Sequence, residues 1–315
     1  LDLRSIRAKL AAWYDGARRD LPWRRTRDPY AIWVSEIMLQ QTRVAAVIPY
    51  YERFLQRFPS PDALAQAPEE ELLAMWSGLG YYSRARNLQK AARQITEAGD
   101  FPRAYTAIRE LAGVGEYTAA AIASIAFDLP HAVVDGNVRR VLARLMNDGN
   151  LDVQQAAERL LDRRDPARWN QAVMELGATI CLPREPRCGE CPIARHCKAR
   201  HAGTQNELPL KRVKHAPEWL ERTLLVIRRN GRLLLAPSPR VKGFWDLPEP
   251  FPEARLGAAL GKFAHTITHR HYRFTVREAI ARGTPKGMRW VTERQSGEIP
   301  LSTTARKALR VYNSA

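Results

Sequence analysis

Four cysteines, Cys181, Cys188, Cys191 and Cys197, fall within 17 residues with the spacing C-x6-C-x2-C-x5-C. Four thiolates on so short a loop suit a [4Fe–4S] cube, in which each iron takes one cysteine. Structural zinc also accepts four thiolates. Zinc ribbons, however, separate two close pairs by about 15–20 residues, whereas here the pairs merge, so the spacing favours iron–sulfur. A disulfide framework would be spread along the chain, and the clustering points instead to a reducing compartment, the cytoplasm. No second redox motif accompanies the cysteines, which argues for a structural cluster. Arg184, Arg187, Arg195, Lys198 and Arg200 surround them, placing positive charge where a phosphate backbone would approach.

Two carboxylates stand out next. The i±3 and i±4 neighbours of Glu36 are Trp33, Leu39, Ile32 and Gln40, three of them apolar, so Glu36 lies on or beside a buried helical stripe. A carboxyl there keeps its proton, as a general acid must. Asp135 comes 20 residues after Gly115 in Val133-Val134-Asp135-Gly136-Asn137. By itself it reads as the N-cap of the helix that follows. The turn Leu111-Ala112-Gly113-Val114-Gly115 would present free amide N–H groups at a helix start, a site for a phosphate; a plain inter-helix turn gives the same pattern.

These groups need a scaffold. Up to about Arg200 the pattern is of short amphipathic helices: Leu3–Tyr14, 31–40 (opened by Asp28-Pro29), Ala45–Phe58, Glu69–Trp76, Ser83–Ala98, Tyr105–Leu111, Tyr117–Phe127, Val138–Met146, Gln154–Asp162 and Asn170–Cys181. Residues 204–218, with Pro209, Pro217 and the basic run 211–215, read as a linker. Beyond it Thr223–Ile227 and Arg232–Leu235 flank Asn230-Gly231, a hairpin signal. His271–Ile280 alternates like a strand, and Thr303–Tyr312 reads as a closing helix. The fold class is therefore an all-α region, 1–203, containing the cysteine loop 181–197, followed by a small α+β domain, 219–315. The 315-residue chain carries a formal charge of +17, from 50 Lys plus Arg against 33 Asp plus Glu. That excess points to a polyanion, nucleic acid first, although an inert basic surface or an acidic membrane also fits charge alone. No apolar run approaches the roughly 18 residues of a membrane span.

The glycine turn, Asp135 at its distance and the four-cysteine loop together resemble the helix–hairpin–helix superfamily of DNA glycosylases. Leu21-Pro22-Trp23-Arg24, Ser35-Glu36-Ile37-Met38-Leu39-Gln40-Gln41-Thr42, Gly78-Leu79-Gly80-Tyr81-Tyr82-Ser83-Arg84 and Asp135-Gly136-Asn137 narrow the resemblance to the MutY family. It covers nearly all of residues 1–200. In endonuclease III, another member with an iron–sulfur cluster, a Lys nucleophile follows the hairpin; here Tyr117 takes that place. Without the amine no Schiff base forms, and the resemblance implies a monofunctional, hydrolytic enzyme.

What the resemblance implies is specific. Glu36 protonates adenine at N7, and Asp135, held by Asn137 and Tyr117, stabilises the oxocarbenium-like sugar. Arg24 and Gln171 line the adenine pocket. Gln41 and Tyr81 wedge into the base stack, and Gly113, Val114 and Gly115 contact the DNA backbone. The partner is double-stranded DNA with A:8-oxoguanine or A:G mispairs, bound by a monomer with no membrane partner. The last domain is similar to the family's MutT-like domain, with Gly243–Glu249 matching a Gly-Leu-Trp…Pro stretch and Thr268 and His269 standing for a Ser-His pair that reads 8-oxoguanine. No helix carries the Arg-Glu…Glu-Glu pattern of a working nucleotide hydrolase. Two other readings compete: a mismatch glycosylase for thymine opposite guanine, against which the last domain speaks, and a non-catalytic iron–sulfur DNA-binding protein, against which Glu36 and Asp135 speak.

Overall fold

A computed structural model describes residues 1–210, 218–267 and 270–314. Thr268, His269 and the basic run 211–215 lie outside the described residues.

The helices follow in order: α1 Leu3–Ala17, α2 Pro29–Leu39, α3 Val44–Arg57, α4 Pro61–Gln66, α5 Glu69–Trp76, α6 Ser83–Ala98, α7 Tyr105–Arg109, α8 Glu116–Phe127, α9 Gly136–Met146, α10 Val153–Leu160, α11 Pro166–Thr179 and α12 Lys198–Ala202. Local chemistry starts many of them. Asp2, Asp28, Asp135, Asp152 and Asp165 each accept a backbone N–H from the first turn of the helix they precede, a cap whose loss costs about 1 kcal/mol. Pro29 and Pro166 take the first helical position, where no N–H is needed. The six-residue α4 escapes a periodicity search by its length, although Ser60-Pro61 caps it in the same manner.

Residues 1–55 and 90–213 form one compact unit. Its core gathers Ile6, Leu10 and Tyr14 of α1 with Val141 and Leu145 of α9, Leu160 of α10 and Val173 and Leu176 of α11. Helix α2 packs on α8, and α11 packs on α1, α8 and α9. The helices carrying Glu36, Tyr117, Asp135 and Gln171 are thereby neighbours.

Residues 56–89 and 214–315 form the second unit. Its strands are β1 Trp219–Val226, β2 Arg228–Arg229, β3 Arg232–Pro237, β4 Trp245–Asp246, β5 Ala254–Ile267, β6 Arg270–Ala281 and β7 Arg289–Thr292, followed by α13 Glu293–Glu298 and α14 Thr303–Asn313. One sheet has the order β1-β6-β5, with β1 parallel and β5 antiparallel to β6; the other joins β2, β3 and β4, with β7 on β3. Asn230 and Gly231 both take positive φ, 50° and 69°, as a two-residue hairpin turn demands. The hairpin differs from expectation in its first arm. The short β2 pairs β3, while β1 joins the other sheet, because its residues are buried on both faces: Leu224 and Val226 in one core cluster, Leu225 in a second. The long β5 carries no strand pattern in its Ala- and Gly-rich sequence and owes its form to pairing with β6. Within this unit Ser77 Oγ donates to the Leu301 carbonyl at 3.0 Å, and the Tyr82 and Phe244 rings meet at 3.8 Å. The fold class read from the sequence, all-α followed by small α+β, is the one observed. Among the described residues no helix is long and apolar enough to cross a membrane.

Candidate active site

A cavity of about 390 Å³ opens in the first unit, and two helix faces line it. From α2 come Ile32, Ser35, Glu36 and Leu39; from α11 come Gln171, Met174, Glu175 and Ala178. Both sets run i, i+3, i+4, i+7, one face of a helix. Arg24, Gln41, Tyr117, Asp135 and Asn137 complete the wall. The residues assigned by resemblance to catalysis and to the base pocket thus share one space.

Glu36 is 4% exposed. Burial pushes its carboxyl up to about 7, against a hydrogen bond from Tyr117 that pulls it down; Asp135 adds to the rise and Arg24 opposes it. Tyr117 donates its hydroxyl to Glu36 Oε2 at 2.7 Å, and burial raises the Tyr117 phenol well above its ordinary range, so it stays a donor. Tyr117 therefore holds Glu36, where the resemblance had it holding Asp135. Helix α8 aims the phenol at α2, the helix it packs on.

Asp135 is an N-cap, as its sequence context said, and it also faces the cavity. Its Oδ1 accepts from the Val138 N–H at 2.6 Å, and its Oδ2 from Asn137 Nδ2 at 2.9 Å. Asn137 is fixed in turn by Arg140, whose Nη2 donates to Asn137 Oδ1 at 2.9 Å and to the Gly177 carbonyl at 2.7 Å. Capping holds the carboxylate on the first turn of α9, so no rotamer search precedes its use.

Glu175 was not foreseen. Its side chain is fully buried, yet it pairs with Arg19 and Arg24, each at 2.7 Å. Burial pushes its carboxyl up, but the bonds from Arg19 and Arg24 together outweigh this and hold it at about 2. Its position four residues after Gln171 on the same helix face was the signal in the sequence. Gln171 Oε1 accepts from the Tyr14 hydroxyl at 3.1 Å.

The four cysteines line one small cavity together with Arg144 and Ile180, and none of them is in a disulfide. Arg144 is 1% exposed; its Nη1 lies 3.3 Å from Cys181 Sγ and 2.7 Å from the Leu182 carbonyl, and its Nε 3.0 Å from the Leu208 carbonyl. A buried guanidinium at this place suits a group of negative charge. Burial pushes the Cys191 thiol up to about 12, so a metal that binds it must displace the proton. Among the described residues no three His, Cys, Asp or Glu side chains close on a single-ion site. Arg184, Arg187, Arg195, Lys198 and Arg200 around the loop are exposed.

The glycine turn behaves as a turn and more. Gly113 takes φ 76°, and Gly115 precedes α8 without a side-chain cap, leaving first-turn amides for another acceptor. Gln41 and Tyr81, the wedge pair implied by the resemblance, both hold positive φ, 57° and 49°. Such backbone costs about 1–3 kcal/mol and gathers at functional sites. Tyr81 is 40% exposed, and Arg84, lying 5.6 Å from its ring, braces the loop by donating to the Leu79 and Gly80 carbonyls.

The HhH-GPD superfamily of base excision DNA repair proteins matches residues 34–165. Among solved structures, a thermostable thymine-DNA glycosylase superposes with a TM-score of 0.60 at 31% identity, covering 64% of this chain and 97% of its own. A trapped endonuclease III–DNA covalent intermediate does so at 0.55 and 26%, covering 64% and 99%. The mouse adenine DNA glycosylase is 34% identical over an alignment 403 positions long, gaps included, spanning 99% of this chain and 78% of the mouse protein. That alignment spans nearly the whole chain, and the chain belongs to the adenine DNA glycosylase family.

Proposed function

We propose that this protein excises adenine paired with 8-oxoguanine or guanine in duplex DNA, leaving an abasic site in an unbroken strand. The observation that carries this reading is the Glu36 carboxyl, buried in a cavity with room for a base, pushed up to about 7 and sharing that cavity with the capped carboxylate of Asp135. Adenine leaves poorly as an anion. Tyr117 occupies Glu36 Oε2, so Oε1 carries the acidic proton and delivers it to N7. The C1′–N9 bond then breaks with its electron pair going to the base. Asp135 stabilises the resulting sugar cation, and water adds at C1′, giving up a proton that restores the Glu36 acid. Arg24 and Gln171 border the base. Extrusion of the base costs about a few kcal/mol, which Gln41 and Tyr81 offset by filling the gap. The amides after Gly113, Val114 and Gly115 hold a phosphate.

The four cysteines, facing one cavity beside a buried arginine, would hold a [4Fe–4S] cluster, which supplies loop stability near DNA and no step of the reaction. Catalysis belongs to residues 1–203 and reading of the opposite base to 219–315, with Thr268 and His269 as its readers. The residues on either side of them, Ile267 and Arg270, pair as the ends of β5 and β6.

A single-turnover assay on an A:8-oxoguanine duplex tests the reading. Excision should give strand breaks only after alkali, and borohydride should trap little complex, because Tyr117 offers no amine. An enzyme-dependent nick, or no release of adenine, would refute it. Anaerobically purified protein should hold about four irons; stoichiometric zinc would overturn the cluster. The double variant Thr268→Ala, His269→Ala should lose its preference for A:8-oxoguanine over A:G.

A further inference from the structure

The base pocket needs an acceptor for adenine's exocyclic amine, and its carboxylates are poorly placed to supply one. Glu175 Oε1 accepts from Arg19 N and Nε, and Oε2 from Arg19 Nη2 and Arg24 Nη2, at 2.7–3.1 Å. All its lone-pair positions are taken. Arg24 is a donor throughout. Gln171 Oε1 accepts from the Tyr14 hydroxyl and keeps a second lone pair.

An amide reads a base only if its orientation is fixed, because a 180° flip exchanges acceptor for donor. Two groups fix this one. Gln171 Nε2 lies 3.4 Å from the Ala167 carbonyl, a long contact. Tyr14 donates to Gln171 Oε1 at the shorter distance of 3.1 Å. A flipped amide would set oxygen against the Ala167 oxygen, acceptor against acceptor. Tyr14 is 2% exposed and stands behind the cavity wall. The Arg18 side chain hydrogen-bonds the Tyr14 oxygen, which turns the phenol proton toward Gln171.

We propose that Tyr14 is a positioning residue for base selection: by donating to Gln171 it holds that amide with its oxygen toward an exocyclic amine, and so disfavours bases that carry a carbonyl there. This rests on the assignment of the cavity to adenine. The test uses full-length protein and 8-oxoguanine duplexes bearing either adenine or hypoxanthine, which replaces the amine by a carbonyl. Tyr14→Phe should lower the ratio of single-turnover rates, adenine over hypoxanthine, about tenfold. An equal loss on both bases, as a packing defect would give, overturns the proposal. Gln171→Ala separates the two ideas. If it leaves the ratio unchanged, Gln171 reads no amine and the pocket assignment itself fails. If it collapses the ratio while Tyr14→Phe does not, the positioning role alone fails. In Gln171→Glu the two oxygens are equivalent acceptors, so adding Tyr14→Phe should change the ratio no further; a further drop would count against the mechanism.

Discussion

Two glutamates line the same cavity from facing helices and have opposite electrostatic fates. Glu36 on α2 and Glu175 on α11 are both almost entirely withdrawn from water, at 4% and 0% exposure. Glu36 meets one neutral phenol and the like charge of Asp135, and burial prevails, lifting it to about 7. Glu175 meets two guanidinium groups, and they prevail, holding it at about 2. Burial alone does not decide charge; the partners on the neighbouring elements do. One wall of the cavity thereby keeps a proton to give, while the other keeps a fixed anion that aims Arg24.

The comparison can be broken at either wall. The largest effect is expected from Glu36→Gln, which removes the proton donor while preserving shape: excision should fall at least about 10²–10⁴-fold with duplex binding retained. Excision within tenfold of wild type would remove Glu36 from the mechanism. At the opposite wall, Glu175→Gln leaves the largely buried Arg24 without its counter-charge while Arg19 stays open to water, and should cost about 3 kcal/mol in urea unfolding, the low end for a broken buried pair; an unchanged midpoint would mean the ion pairs contribute nothing.

The two carboxyls should also differ in sign with pH. A raised carboxyl stabilises the fold below its unfolded value near 4.5, and that contribution is lost as pH rises through about 7. Glu36→Gln should therefore gain on wild type across this window, by roughly 3 kcal/mol at its top. The wild-type single-turnover rate should fall about tenfold per pH unit well above 7, as the acid loses its proton. The depressed Glu175 behaves oppositely: its contribution is present above about 4.5 and lost as pH falls through about 2. A rate flat from pH 6 to 9 would contradict the assignment of the acid. The smallest change is expected from Tyr117→Phe. Removing the one hydrogen bond that lowers Glu36 should move the alkaline limb upward by about one pH unit or less; a downward move would show that Tyr117 serves Asp135 instead.

Much of this site was legible before folding was considered. The apolar neighbours of Glu36 give its burial, the Asp-Gly-Asn start of α9 gives the cap, and the cysteine spacing gives a convergent thiol loop, because each depends on residues within a few positions of one another. Glu175 was passed over although it shares a helix face with Gln171. Its significance lies in Arg19 and Arg24, more than 150 positions away along the chain, and no periodicity records that distance. The same limit explains β1, whose apolar run fits a hairpin locally but serves a parallel pairing with β6.

The sequence by itself carried most of the helices, the order of an all-α region before a small α+β one, the family, and the candidates for the acid, the capped carboxylate and the four thiols, since caps, periodicity and short-range spacing are local properties of the chain. The tertiary structure decided which partner each group received: that Tyr117 bonds Glu36, that Tyr14 holds Gln171, and that two arginines close on Glu175. Charge state and amide orientation follow from those partners, because desolvation sets the cost of a charge and only a neighbour brought close by packing can repay or deepen it.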